Sequence, residues 1–199
     1  MKRAKGKYGI YVLIALVGII LTASNPVSAG IWHVDPTSGN QYTLTDISGT
    51  WDQAEADAIS KGGHLVTIND AAENAFLVGE FSGPTNPYLW IGLYQNKLST
   101  AYTEPTGGWE WISGEAVTYT DWHAANPNNG QGVEDWGALW FTGTAGTHWN
   151  DYGHLHSGFP SAGLAGIVEV THAPVPGAFL LGVLGMGTAG SWLRRRKTA

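Results

Sequence analysis

Oxygen-bearing side chains gather in two short clusters between residues 121 and 151 of this 199-residue chain. The first is Asn126-Pro127-Asn128, and Glu134 follows six residues after its end. The second is Asn150-Asp151, directly after Trp149. Ca²⁺ binds roughly 6–8 oxygens from carboxylates, carboxamides and backbone carbonyls, and a bound ion with open positions can also coordinate sugar hydroxyls. The pattern predicts a calcium site made of Asn126, Asn128, Glu134, Asn150 and Asp151.

Glu134 and Asp135 are adjacent, and consecutive residues of a strand point to opposite faces. Only one of the two can therefore reach a given ion, and we assign Glu134 to the site. The alternative for residues 126–130 is a plain surface turn, because Asn, Pro and Gly are turn-forming residues. The combination with Glu134 and with Trp149-Asn150-Asp151 favours the calcium site.

The sequence also contains residues that could support two other kinds of chemistry. His148, His154 and His156 could bind zinc, since imidazole is a zinc ligand, although solvated loop histidines are the simpler interpretation. The sequence has no GxSxG motif, no P-loop and no cysteine, so we expect a binding protein and no enzyme. A hydrolase would have to use Glu134 with Asp121.

Further motifs precede these clusters in a fixed order: Gly62-Gly63-His64-Leu65-Val66, Trp90-Ile91-Gly92-Leu93, Gly108-Trp109-Glu110-Trp111 and Asp121-Trp122. Together with NPN and WND they resemble the C-type lectin-like domain, over about residues 38–170. In that family a Glu-Pro-Asn or Gln-Pro-Asp tripeptide, a following Glu and a Trp-Asn-Asp build a calcium site that holds vicinal sugar hydroxyls. The resemblance implies an α+β fold with two short helices, small antiparallel sheets and a long loop region at the calcium site.

The resemblance also implies a cis peptide before Pro127 and a set of sugar contacts: Asn126, Asn128, Glu134, Asn150 and Tyr152. Asn126 departs from the family's Glu or Gln, which leaves Glu134 and Asp151 as the charged ligands. We therefore expect a calcium affinity near ~10⁻⁴–10⁻³ M. An amide both donates and accepts hydrogen bonds, so Asn126 does not indicate which sugar stereochemistry is preferred.

Charge is distributed unevenly along the chain. All sixteen acidic residues lie between Asp35 and Glu169, where Lys61 and Lys97 are the only basic ones, a balance of −14. This opposes binding to nucleic acid or anionic lipid. The expected partner is a carbohydrate or exopolysaccharide. The alternative is a calcium-independent interaction module of the same fold at a cell surface or in a matrix.

Both ends carry export features. Residues 1–29 read as a signal peptide, with a basic start, an apolar run and cleavage after Ala29, although an uncleaved anchor is the alternative. Residues 174–199 contain Pro174-Val175-Pro176, a Gly-rich apolar run and Arg194-Arg195-Arg196-Lys197. This tail resembles the bacterial PEP-CTERM sorting signal that an exosortase removes, but it lacks the Glu between the prolines, and a permanent transmembrane tail is the alternative. We expect the exported domain, residues 30–173, at the cell envelope, cell surface or extracellular matrix.

The elements that must position the site follow from local patterns. Thr50 and Gln53 form a capping box for a helix that Gly62 ends, and Asp70 starts a second helix reaching about Glu80. Strands are predicted at residues 41–45, 89–94, 109–112, 135–141 and 165–170, with long loops at 115–132 and 143–161. Four tryptophans are assigned to the core: Trp51, Trp90, Trp109 and Trp111. Trp122, Trp140 and Tyr152 are placed nearer the site.

Relatives in this family carry disulfides, whereas this chain has no cysteine. The resemblance places the first bridge at Ala58 and Val168 and the second at Trp136 and His154. Packing contacts must take over at these two places.

Overall fold

The computed structural model describes residues 30–143, 146–155 and 157–171. The predicted signal peptide, the whole tail of residues 174–199 and His156 lie outside the described residues. Within them, the chain forms two helices and eight strands in the order β1 His33–Val34, β2 Gln41–Leu44, α1 Trp51–Ser60, β3 His64–Leu65, α2 Ala71–Phe81, β4 Tyr88–Gln95, β5 Trp109–Trp111, β6 Trp136–Phe141, β7 Thr147–Tyr152 and β8 Ile167–Val170. The predicted α+β fold with two short helices and small antiparallel sheets is confirmed.

Both helices begin at the predicted caps. The Thr50 hydroxyl accepts from the Gln53 amide at 3.4 Å, and the Gln53 side chain accepts from the Thr50 amide at 2.9 Å, which satisfies two amides that the helix leaves unpaired. Asp70 accepts from the amides of Ala72 and Glu73 at the start of α2. Side-chain caps of this kind can be read from sequence because they are local.

Two antiparallel sheets of four strands follow the orders β1-β2-β8-β3 and β5-β4-β6-β7. In the first sheet, β2 pairs with β8, so the two ends of the described domain lie side by side. The sheets meet where the Trp90 amide of β4 donates to the Ala165 carbonyl at 2.9 Å. In the second sheet, β4 and β6 form the centre and β7 lies at one edge, next to the loop of residues 115–132.

The prediction of a loop across residues 143–161 was wrong for its middle. Thr147–Tyr152 is a six-residue strand, β7, paired along its whole length with β6. His, Asn and Asp are poor strand formers, so local propensity hid this strand, and pairing with β6 overrides that propensity. As a result, Asn150 and Asp151 stand on a sheet and not on a free loop.

The core contains most of the predicted tryptophans. Trp51, Trp90 and Trp111 are buried, whereas Trp109 is only partly buried and packs against Trp122. Trp149, which was not assigned to the core, is fully buried and donates its indole N–H to Asn74 Oδ1 at 2.9 Å.

Packing contacts occupy both places where relatives have disulfides. Ala58 and Val168 are fully buried in the same core cluster. The rings of Trp136 and His154 lie 5.1 Å apart between centroids. No helix in the described part of the chain is both long and apolar enough to cross a membrane.

Candidate functional site

Strand β7 fixes the second oxygen cluster. Pairing of Gly137 with Asp151 and of Ala138 with Asn150 holds both residues in the sheet. Asp151 is fully buried, and its Oδ2 accepts from the amides of Asn128 at 2.7 Å and Asn129 at 2.6 Å. Its Oδ1 is also buried and has no hydrogen-bond partner. An unpaired buried carboxylate oxygen is costly, which makes it a candidate cation ligand.

The NPN loop brings the first cluster against the second. The Asn126-Pro127 peptide is cis, as the resemblance implied. Asn126 Nδ2 donates to Asn150 Oδ1, and Asn128 Nδ2 donates to Asn126 Oδ1. The three carboxamides, separated by up to 24 positions in sequence, therefore form one hydrogen-bonded chain with Asn126 in the middle.

Glu134 reaches the same region from the start of β6. It is 4 % exposed, and its Oε2 accepts from the Gly130 amide at 2.6 Å. A Cβ at Gly130 would lie 2.6 Å from that oxygen, so this approach requires glycine. Asp135 makes an ion pair with Lys97 at 2.8 Å, in line with the expectation that the two adjacent acids point apart.

Burial dominates the electrostatics of both carboxylates. It raises the pKa of Glu134 to about 7, with the Gly130 amide opposing this change and the charge of Asp151 adding to it. It also raises the pKa of Asp151, against the hydrogen bonds from the amides of Asn129 and Asn128. The described residues contain no Arg, and their two lysines pair with other acids. A bound cation would favour the charged form of both groups.

The donor set fits Ca²⁺. Two carboxylates, one of which has the unpaired Asp151 Oδ1, and three carboxamides are hard oxygen ligands of the kind that this ion prefers. The described residues contain no cluster of three or more His, Cys, Asp or Glu side chains that could hold a metal, so the site depends on carboxamides. His148 contacts Asp121 at 3.3 Å, whereas the ring of His154 packs on Trp136, so the two described histidines of the zinc hypothesis have different neighbours.

A cavity of about 290 Å³ lies beside the oxygens. Asn126, Asn128, Glu134 and Asn150 line it together with Gly130, His123 and three large rings, Tyr88, Trp140 and Tyr152. The structure thus brings four of the five predicted calcium ligands to one cavity, with Asp151 buried behind them. Trp122 is not among the lining residues and packs against Trp149.

Tyr152 lines this cavity with little of its surface exposed. It is 6 % exposed, its hydroxyl donates to the Gly158 carbonyl at 3.1 Å, and its ring stacks on Tyr88 with centroids 4.9 Å apart. Asp121, the partner of Glu134 in the hydrolase alternative, instead contacts Asn74 and His148.

Several residues at the site were missed from sequence. Asn129 donates to Asp151, and its Oδ1 accepts from the Glu134 amide at 3.1 Å. The Asn129-Gly130 dipeptide is a turn signal that could have marked the first of these roles. Tyr88 and His123 carry no comparable local signal.

Comparisons with known proteins agree with this geometry. Residues 47–154, just over half of the chain, match the family model of the lectin C-type domain. Regenerating islet-derived protein 3-gamma of Mus musculus is 34% identical over 94 residues, which are 46% of this chain and 52% of that protein. C-type mannose receptor 2 of Homo sapiens is 32% identical over 117 residues, 58% of this chain and 7% of the receptor.

The chain thus spans about half the length of the first of these curated relatives and much less of the second. Among solved structures, the C-type lectin CEL-I from Cucumaria echinata has a TM-score of 0.54 and 25% identity, covering 71% of this chain and 96% of the lectin. A calcium-independent type II antifreeze protein shares the fold with a TM-score of 0.53 at 24% identity, covering 72% of this chain and 92% of that protein. This chain belongs to the C-type lectin domain family.

Proposed function

We propose that this domain binds carbohydrate in a Ca²⁺-dependent manner. The observation that supports this best is Asp151 Oδ1, a buried carboxylate oxygen without a hydrogen-bond partner, in a side chain whose other oxygen accepts from the backbone amide of Asn128 in the NPN loop. Asn126, Asn128, Glu134, Asn150 and Asp151 would hold the ion. When bound, the ion would offer open coordination positions to two vicinal hydroxyls.

The protein groups would orient the same hydroxyls. Carboxamides of Asn126, Asn128 and Asn150 can each donate and accept, while the Glu134 carboxylate accepts. Each hydroxyl competes with water at these groups, so one monosaccharide should bind with a millimolar Kd, about −4 kcal/mol. Useful affinity would come from multivalent display on a surface or in a matrix.

The second candidate is a calcium-independent interaction module. One observation favours it: hydrogen bonds from Asn128 to Asn126 and from Asn126 to Asn150 join the two clusters directly, and they use carboxamide groups that would otherwise be free to bind an ion. A calcium-independent antifreeze protein with the same fold is consistent with it.

Thermal unfolding separates the two candidates. An ion that binds only the native state stabilises it by mass action, so the purified protein should melt at higher temperature in millimolar Ca²⁺ than in chelator. Mg²⁺ and Zn²⁺ at the same concentration serve as controls for a general ionic effect. Identical curves in Ca²⁺ and chelator would favour the module. A glycan array read with and without chelator then tests the ligand.

We also propose export of this domain through residues 1–29 and processing of residues 174–199 by an exosortase-type enzyme. The hydrophobic run and basic end of the tail support this. Intact-mass analysis of surface protein from a host with an exosortase should show the tail missing. Retention of Arg194 to Lys197 would instead support a permanent anchor.

A further inference from the structure

Large aromatic rings line the cavity next to the candidate calcium ligands. Tyr88 of β4 and Trp140 of β6 are register partners, and their ring planes differ by 5° with centroids 6.0 Å apart. At this separation the rings are offset, so each leaves part of its face uncovered by the other. The His123 ring meets Trp140 edge-on at 5.0 Å.

The core does not account for Trp140. It belongs to neither core cluster and is only partly buried, although it is the largest kind of side chain. Tyr88 is partly buried as well, with Tyr152 stacked at 4.9 Å. A concave surface with aromatic walls and a few convergent polar groups is typical of a ligand site.

The chemistry of the cavity limits the ligand. Neither Lys nor Arg is among its lining residues, whereas Glu134 is, so an anionic group at the rings, away from the proposed ion, would find no Lys or Arg to pair with. Ring faces carry negative charge density and attract C–H groups, and the two nitrogens of His123 can donate or accept a hydrogen bond. A pyranose ring offers both an apolar C–H face and hydroxyls.

We infer that Tyr88, Trp140 and His123 form a subsite for a second, uncharged sugar ring of the glycan whose first ring is held at the calcium ligands. This inference rests on the proposed function. It specifies the ligand class as a neutral oligosaccharide of at least two residues.

The test compares the affinity for a monosaccharide, with one sugar ring, and for a disaccharide, with two sugar rings, in saturating Ca²⁺. Calorimetry on the purified full chain would measure methyl α-mannoside against α1,2-mannobiose, and methyl β-galactoside against lactose. Contact with the second ring should tighten binding of one of the two disaccharides about tenfold. A gain of twofold or less for both pairs, which two equivalent rings can give statistically, would overturn the subsite.

Two variants test whether the tighter binding of the disaccharide, the disaccharide gain, depends on these rings. Trp140→Leu and Tyr88→Leu keep an apolar side chain but remove the ring, so each should lose the disaccharide gain while Ca²⁺ and monosaccharide binding stay unchanged. Phe141→Leu is the matched control, because Phe141 follows Trp140 on the same strand and points to the opposite face. The gain should survive in this control.

The outcomes are distinguishable. A gain that persists in both Leu variants overturns the subsite alone. Loss of monosaccharide binding in Trp140→Leu, with Ca²⁺ binding intact, overturns a separate subsite and places the ring at the first sugar. Failure of the wild-type protein to bind any of these sugars in Ca²⁺ overturns the proposed function and the subsite together.

A measurement on the wild-type protein covers the case in which a variant fails to fold. With 5-fluorotryptophan incorporated, the Trp140 ¹⁹F resonance, assigned by its loss in Trp140→Phe, should move with the disaccharide and stay in place with the monosaccharide. A Trp140 resonance that does not shift when the disaccharide is added would overturn the subsite.

Discussion

The Asn128 amide donates a 2.7 Å hydrogen bond to Asp151 Oδ2, across 23 positions of sequence. The same oxygen accepts from the Asn129 amide at 2.6 Å, so one carboxylate oxygen holds the NPN loop on strand β7. The other oxygen, Oδ1, is buried without a partner. The two oxygens of Asp151 therefore differ: Oδ2 holds the loop, and Oδ1 is the one left for the proposed ion.

We predict that Asp151→Asn abolishes Ca²⁺ binding and leaves the loop in place. The amide oxygen can take the Oδ2 position and accept from both backbone amides, while the NH₂ group at the Oδ1 position repels a cation. Melting in chelator should fall little, or even rise, because a buried charge is removed. Calorimetric Ca²⁺ titration and thermal unfolding in chelator measure the two effects.

Asp151→Ala serves as the comparison, because it removes both oxygens. It leaves the two part-buried amides of the loop without their acceptor, and such a loss costs about 1–3 kcal/mol for a fully buried group and less where water can take the acceptor's place. It should therefore lose Ca²⁺ binding and also melt lower in chelator. Equal melting of the Asn and Ala proteins would contradict the structural role of Oδ2.

Local signals predicted much of this architecture. The caps at Thr50 and Asp70 and the central strand β4 depend on residues close in sequence, and they lie where expected. Strand β7 was not predicted, because its polar residues give no local strand signal and are held in place by pairing with β6. The position of Asp151 depends on that pairing. In the same way, the position of Trp140 opposite Tyr88 depends on pairing between β4 and β6. Registers of this kind are set by tertiary packing, which one sequence does not display.

We predict that Asn126→Glu tightens Ca²⁺ binding about tenfold or more, because ligand charge count sets the affinity of such sites. Asn126→Gln is the matched control, with the same length and no charge, and its affinity should stay near the wild-type value. Calorimetry of the three proteins side by side measures this. If the Glu protein binds no more tightly than the Gln protein, residue 126 lies outside the coordination sphere.

Glu169 should make the fold less stable as pH rises. It is 8 % exposed and accepts from Asn40 Nδ2 at 2.8 Å and from the Thr67 amide at 3.1 Å. Burial raises its pKa to about 7 from a model-peptide value of 4.5, with the Thr67 amide opposing and the charge of Glu73 adding to this change.

Between these two pKa values the native state binds more protons than the unfolded state, so the free energy of unfolding falls as pH rises. The contribution is fully present below about pH 4.5, is lost through about pH 7, and is on the order of 3 kcal/mol at most. Urea unfolding in chelator at pH 5 and pH 8 should show a smaller difference for Glu169→Gln than for the wild-type protein. Equal differences would mean that Glu169 titrates alike in both states.

Ala58 and Val168 should accept an engineered disulfide. Both are fully buried in one core cluster, at the positions where the family resemblance places a bridge. Because a bridge restricts the unfolded chain, the double variant Ala58→Cys and Val168→Cys should gain about 2–4 kcal/mol in free energy of unfolding once oxidised.

The same protein with its thiols reduced is the control, and it should be less stable than wild type because a buried valine is truncated. Urea unfolding of the oxidised and reduced forms, with the bridge verified by mass, measures the difference. Failure of the thiols to pair under oxidising conditions would show that helix α1 and strand β8 lie too far apart at these positions for disulfide geometry.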